Sequence, residues 1–73
     1  MDRNNIAKRL VKLRGNKTQA EVAEKLGISQ STYAMYETGK RTPSDEVKIR
    51  IANLYNRTVQ FIFFNQDVTK SEK

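Results

Sequence analysis

The chain has no cysteine and no histidine. Without cysteine there is no disulfide framework and no thiolate metal site. Without histidine, the commonest general base and the commonest metal ligand are both missing. Catalysis would have to rest on Asp, Glu, Lys, Ser or Tyr, and no paired carboxylates, phosphate-binding glycine loop or nucleophile elbow is present. A chain of 73 residues also leaves little room for a substrate pocket. An enzyme is not expected, nor a cofactor, nor a metal. Long apolar runs are missing as well: none approaches the ~20 residues that a membrane span needs. The N-terminus lacks the apolar stretch of a signal peptide. The expectation is a soluble cytoplasmic protein without a membrane partner.

What the chain does have is positive charge. Fourteen lysines and arginines against eight acids leave a formal charge of +6, with a pI near 9.9. That balance favours an anionic partner, either nucleic acid or a membrane surface. The length fits one domain, taken as 1–64, with a polar tail over 65–73 expected to be free. So small a core must use every apolar helix face.

The organising stretch is Thr18–Gly39, TQAEVAEKLGISQSTYAMYETG. Thr18 and Glu21 have the spacing of a capping box, in which each side chain bonds a backbone N–H of the other. Val22, Ala23 and Leu26 then fall on one helical face. Gly27 suits the left-handed residue that ends a helix, Ile28 is an apolar plug, and Ser29 can cap a second helix. Tyr33 and Tyr36 share one face of that helix, and Gly39 stops it. Ala23 is small enough to let the two helices cross closely. Gln30, Ser31 and Met35 point away from the tyrosines, and nothing between Ser29 and Tyr36 is acidic. Helix, glycine, apolar plug, cap and helix in that order form a helix-turn-helix pattern.

The run QAEVAEKLGISQSTYAMYETGKRTPS resembles the Cro/cI-type, or XRE, helix-turn-helix of bacterial, phage and mobile-element regulators. The likeness spans Ile6 to Phe64. It implies an all-α, compact, five-helix lambda-repressor-like domain that binds double-stranded DNA. Two departures stand out. Tyr33 replaces the family's usual β-branched aliphatic residue, and the link Gly15-Asn16-Lys17 is shorter than usual. The resemblance further implies that Arg14 pairs with Glu37, fixing the first helix to the third. It implies that Gln19 contacts a phosphate and buttresses the recognition helix. It also places a dimer contact near the C-terminus.

The remaining elements read in order. Asp2, Asn4 or Asn5 would cap a first helix on which Ile6, Leu10 and Leu13 form the apolar stripe. Lys8, Arg9 and Lys12 lie outside the stripe, as a solvated basic face or as long-range attraction to DNA. Lys40 and Arg41 complement the C-terminal dipole of the recognition helix and can contact phosphate. Pro43 ends that loop. Ser44 caps a fourth helix with Asp45 and Glu46 in its first turn. Its stripe is Val47, Ile51, Leu54 and Tyr55, widened by Ile49 and Ala52, and it is expected to be the most buried helix. Asn56 would end it. Thr58 would cap a short fifth helix, Val59 to Phe64, in which Val59, Ile62 and Phe63 close the core. Phe61 or Phe64 would then be partly exposed, a surface for a homodimer.

The leading expectation is a sequence-specific transcriptional regulator, most naturally a repressor. Its helix Ser29–Thr38 would enter the major groove. Gln30 can bond adenine bidentately, Ser29 or Ser31 can reach bases or phosphate, and Met35 can meet a thymine methyl. Asn16, Lys17, Thr18, Gln19, Thr32, Lys40 and Arg41 form the expected phosphate-facing set. A dimer would read a near-palindrome with half-sites ~34 Å apart. The alternative is a protein-interaction module, an antitoxin or anti-repressor that acts through its aromatic C-terminal helix.

Overall fold

A computed structural model describes residues 3–64. Asp2 and residues 65–73, on which one candidate cap and the expected tail fall, lie outside the described residues. The elements are α1 (Arg3–Arg14), α2 (Gln19–Leu26), α3 (Gln30–Glu37), α4 (Asp45–Tyr55) and α5 (Gln60–Phe64). Among the described residues there is no strand. The fold is the expected five-helix one.

The short helices are fastened at their ends. Thr18 and Glu21 form the reciprocal capping box, with Glu21 N donating to Thr18 Oγ1 at 3.0 Å and Thr18 N donating to Glu21 Oε1 at 2.8 Å. Ser29 caps α3 and Ser44 caps α4 through their hydroxyls. Three helices end with the same lock. Ile28 N reaches Ala23 O, Lys40 N reaches Met35 O, and Arg57 N reaches Ala52 O, at 2.9–3.0 Å. In each case the preceding residue is left-handed: Gly27, Gly39 and Asn56. This is the double backbone bond that closes orphan carbonyls at a helix end. Gly39 is favoured as glycine by its φ of 78°, and a Cβ there, 2.8 Å from Asn4 Oδ1, would also require that side chain to shift.

The core gathers one face from every helix. Leu10, Val22, Tyr33, Ile51, Ile62 and Phe63 are its largest fully buried side chains. Fully burying each aliphatic or Phe side chain contributes about 1.5–3 kcal/mol. α3 packs against both α1 and α2, α2 against α4, and α1 against α5. Tyr33 and Tyr36 meet edge to face, with ring centroids 6.2 Å apart.

Five expectations are corrected. Asn4 and Asn5 do not cap α1, because the helix already contains them. α4 is not the most buried helix. It buries only Ile51 and Ala52, whereas the shorter α2 buries Val22, Ala23 and Leu26. Ile49 is 54% exposed, since a residue two positions from Ile51 faces the other side of a helix. α5 is a single turn of π geometry over Gln60–Phe64. Thr58 does cap it, its Oγ1 accepting from Phe61 N at 3.0 Å. Arg9 is not a solvated cation. Its Nη1 donates to the carbonyls of Phe61 at 3.1 Å and Ile62 at 2.9 Å.

Candidate nucleic-acid interface

α3 is held from beneath by one buried carboxylate. Arg14 Nε donates to Glu37 Oε2 at 2.7 Å and Arg14 Nη2 to Glu37 Oε1 at 3.2 Å. Gln19 Nε2 donates to Glu37 Oε1 at 3.0 Å. Glu37 thus ties α1, α2 and α3 together, and its side chain is only 3% exposed. The bidentate fork is the geometry in which an arginine–carboxylate pair is strongest. Arg14 Nη1 also donates to Lys17 O at 2.7 Å, which shapes the short link between α1 and α2.

Burial pushes the Glu37 carboxyl up. Hydrogen bonds from Arg14 and Gln19, with help from the Tyr33 hydroxyl, outweigh it and hold the carboxyl below its usual range. The bond to Glu37 in turn raises the Arg14 guanidinium. Burial, then Tyr55 and Glu37 nearby, push the Tyr33 hydroxyl far above its ordinary value. It remains protonated and can donate. The Tyr33 and Tyr55 hydroxyls lie 3.4 Å apart, carrying the polar network from α3 to α4.

The opposite face of α3 is the candidate reading surface. Gln30 and Ser31 are exposed at its start, and Met35 is half-buried one turn later. Ser29 is occupied by capping: its Oγ accepts from Thr32 N at 3.1 Å and donates to Thr32 Oγ1 at 2.9 Å. Ser31 Oγ lies 3.2 Å from Ser29 Oγ. The four-residue opening of α3 therefore presents a knot of hydroxyls with Gln30 free to extend beside it. Between Ser29 and Tyr36 the helix carries no charge.

Along the chain, Lys17 stands ahead of α2, and Lys40 and Arg41 follow this uncharged strip. Asn16, Lys17 and Thr18 are exposed before α2, with Gln19 half-buried against Glu37. Lys40 and Arg41 are exposed after α3. Their backbone N–H groups both bond Met35 O, at 3.0 and 3.3 Å, so the loop leaves the helix in a fixed direction. Arg3 Nη1 donates to Lys40 O at 3.4 Å and braces it from α1. Pro43 is buried where the loop turns into α4.

The structure brings Arg14, Gln19 and Glu37 into one cluster and gathers Ser29, Ser31 and Thr32 into another. Phe61 and Phe64 stand 41% and 49% exposed on α5, apart from both. Sequence reading missed the Tyr33–Tyr55 contact and Arg50, whose Nη1 donates to Leu26 O at 3.1 Å at the end of α2. Tyr55 was findable: a tyrosine on a buried stripe needs a partner for its hydroxyl, and Tyr33 has the same need. Arg50 carries no such signal, because its acceptor is a backbone carbonyl 24 positions away.

Comparison with known proteins agrees with this geometry. The family model described as Helix-turn-helix matches residues 7–62. The HTH-type transcriptional regulator ImmR of Bacillus subtilis is 32% identical over 56 residues, 77% of this chain and 44% of that protein. An uncharacterized HTH-type transcriptional regulator of Archaeoglobus fulgidus is 33% identical over 58 residues, 80% of this chain and 82% of its own length. The cryptic phage CTXphi transcriptional repressor RstR of Vibrio cholerae is 45% identical over 38 residues, 52% of this chain and 34% of that protein. The chain therefore spans under half the length of ImmR and about a third of RstR. No solved structure gives a significant match. With its fold, its capped helix pair and a family match over most of its length, the chain belongs to the helix-turn-helix family of Cro/cI (XRE) type, a family of DNA-binding transcription regulators.

Proposed function

We propose that the chain is a sequence-specific repressor that reads double-stranded DNA with α3 in the major groove. The observation that carries this is the contrast around α3: an exposed, uncharged opening at Gln30 and Ser31, with the exposed Lys40 and Arg41 following on a loop whose backbone is tied to the far end of the helix. Side chains with paired donors and acceptors discriminate bases, while cations beside them hold the phosphates. Gln30 is the principal base reader, bonding adenine N6 and N7 with its amide. Ser31 assists, and Met35 meets a thymine methyl. Ser29 acts mainly by holding α3, since its hydroxyl is engaged by Thr32.

Lys40 and Arg41, Asn16, Lys17 and the start of α2 at Thr18 and Gln19 set the register on the backbone. Thr32 sits at the edge of that set. Pairing of two copies through α5, centred on the exposed Phe64, would present two recognition helices to a near-palindrome. RstR is a repressor by its name. Repression here follows where the site overlaps a promoter, because bound protein excludes polymerase.

Selection of DNA sites in vitro with the purified chain tests the reading. A palindromic motif is the expected outcome. Gln30→Ala should relax preference at one base position per half-site, about 1–3 kcal/mol of discrimination, and leave non-specific binding nearly intact. An equal loss on every sequence would remove Gln30 as a base reader. Arg41→Ala should weaken all sites evenly and lower the salt slope by about one. An unchanged slope would return Arg41 to a structural role.

A further inference from the structure

Where α1 meets α5 the surface is of another kind. Lys8, Arg9 and Lys12 from α1 and Arg57 ahead of α5 line two adjoining hollows, which share Arg9 and Lys12. Val11 and Phe61 add apolar surface there and are 44% and 41% exposed. No aspartate or glutamate lines either hollow. Among the described residues the ion pairs lie elsewhere, at Arg14–Glu37, Lys48–Asp45 and Arg50–Glu46. Among the described residues the four cations thus have no carboxylate within ion-pair distance, although Lys8 and Val11 also border a hollow that Glu37 lines. Lys8 and Lys12 stand four apart on one helix, a like-charge spacing that works against the helix.

The cations are also arranged. The guanidinium carbons of Arg9 and Arg57 lie 5.8 and 5.9 Å from the centroid of the Phe61 ring. The two bonds from Arg9 to the α5 carbonyls hold one of them in place. An aromatic ring flanked by two arginines offers an incoming chain both an apolar seat and carboxylate forks.

We propose that this face docks an acidic amphipathic segment of a protein partner. Carboxylates of that segment pair with Arg57, Lys12 and Lys8, and its apolar side chains cover Phe61 and Val11. Charge complementarity selects this occupant. A second copy fits poorly, because a twofold contact sets like surfaces together. Centred on Phe61, it would face Arg9 and Arg57 with their own counterparts. Phe64 differs: the cation over its ring, Lys48 at 5.0 Å, shares its charge with Asp45 at 3.7 Å. Duplex DNA would satisfy the cations but leave Val11 and Phe61 without an apolar partner. The inference does not depend on operator recognition and stands or falls separately from it.

The test uses the full chain and three fluorescein-labelled probes. One is a helix-forming peptide with leucines on one face and glutamates beside them. The second is the same peptide with lysine for glutamate, and the third is polyglutamate of equal charge. Expected is salt-sensitive binding of the acidic amphipathic peptide, at least about tenfold tighter than polyglutamate, and none of the lysine isomer. Arg57→Glu and Lys12→Glu should each weaken it about tenfold or more, and Arg57→Lys should retain most of it. Amide NMR spectra of each variant report whether the fold persists, with α3 resonances as the internal reference. Equal binding of polyglutamate would reduce the face to bare charge and overturn the proposal. So would peptide binding that ignores both reversals. If the reversals instead weaken mixed-sequence duplex DNA while the peptide fails to bind, the face belongs to the phosphates and the proposal fails.

Discussion

The two ends of the molecule handle their polar groups differently. In the α2–α3 unit every helix end is closed by a side chain or a backbone lock, and the nearest acid, Glu37, has three donor bonds from two residues. The outward surface of α3 is left uncharged between Ser29 and Tyr36. At the α1–α5 end, the last helix turn is π-wound, an arginine must reach across to its carbonyls, and two phenylalanines face solvent beside cations. The first region is internally satisfied, so what it offers a partner is hydrogen-bonding pattern on a rigid frame. The second is internally incomplete, so what it offers is apolar area and charge. The same chain therefore presents a surface suited to discrimination and another suited to adhesion.

The sharpest way to break this contrast is at Glu37. Glu37→Ala leaves Arg14 without its buried partner and should cost about 3 kcal/mol, read as a lower urea midpoint. Acid should act in the same direction. The folded-state pKa of Glu37 is depressed, so its contribution is fully present above the ordinary carboxylate range. It is lost as pH falls through the folded value. The wild-type stability curve should carry this acid limb, and the alanine variant should lack part of it. Identical limbs would mean that other carboxylates govern acid unfolding.

Gly39→Ala probes the lock at the end of α3. A left-handed alanine costs about 1–2 kcal/mol, and here its Cβ would also crowd Asn4 Oδ1. Loss of thermal stability of that size is expected, and an unchanged melting temperature would show that the end of α3 can rewind.

The smallest effect on stability is expected at the other end. Phe64→Ser removes a half-exposed ring and should change monomer unfolding by no more than about 0.5 kcal/mol. Sedimentation should nevertheless show weaker self-association. A large loss of monomer stability with unchanged mass would mean that the ring serves the fold and not a second copy.

These differences also explain what the sequence disclosed. The α2–α3 unit was legible because its signals are local. Thr18 and Glu21, Gly27 and Ser29 sit within a few positions of the groups they bond, and a cap at fixed spacing has one geometric meaning. Arg14 and Glu37 lie 23 positions apart, and their meeting was anticipated by family likeness, not by periodicity. Ile49 was misplaced because apolar character was counted without its angle around the helix. Arg9 was misread because its acceptors are backbone carbonyls, and any residue type at Phe61 and Ile62 would supply those. The π winding of α5 leaves no mark in VQFIFF, where apolar residues stand on all sides.

The three matching helix ends have a bearing on how such a chain can change. What secures α3 is a hydroxyl at one end, a left-handed glycine at the other, and the Tyr33, Tyr36 and Glu37 side chains underneath. Gln30 carries none of that fastening. On the reading proposed above, the address Gln30 spells would be rewritten by single substitutions while the scaffold stays intact, which puts new targets within short mutational reach of the old one.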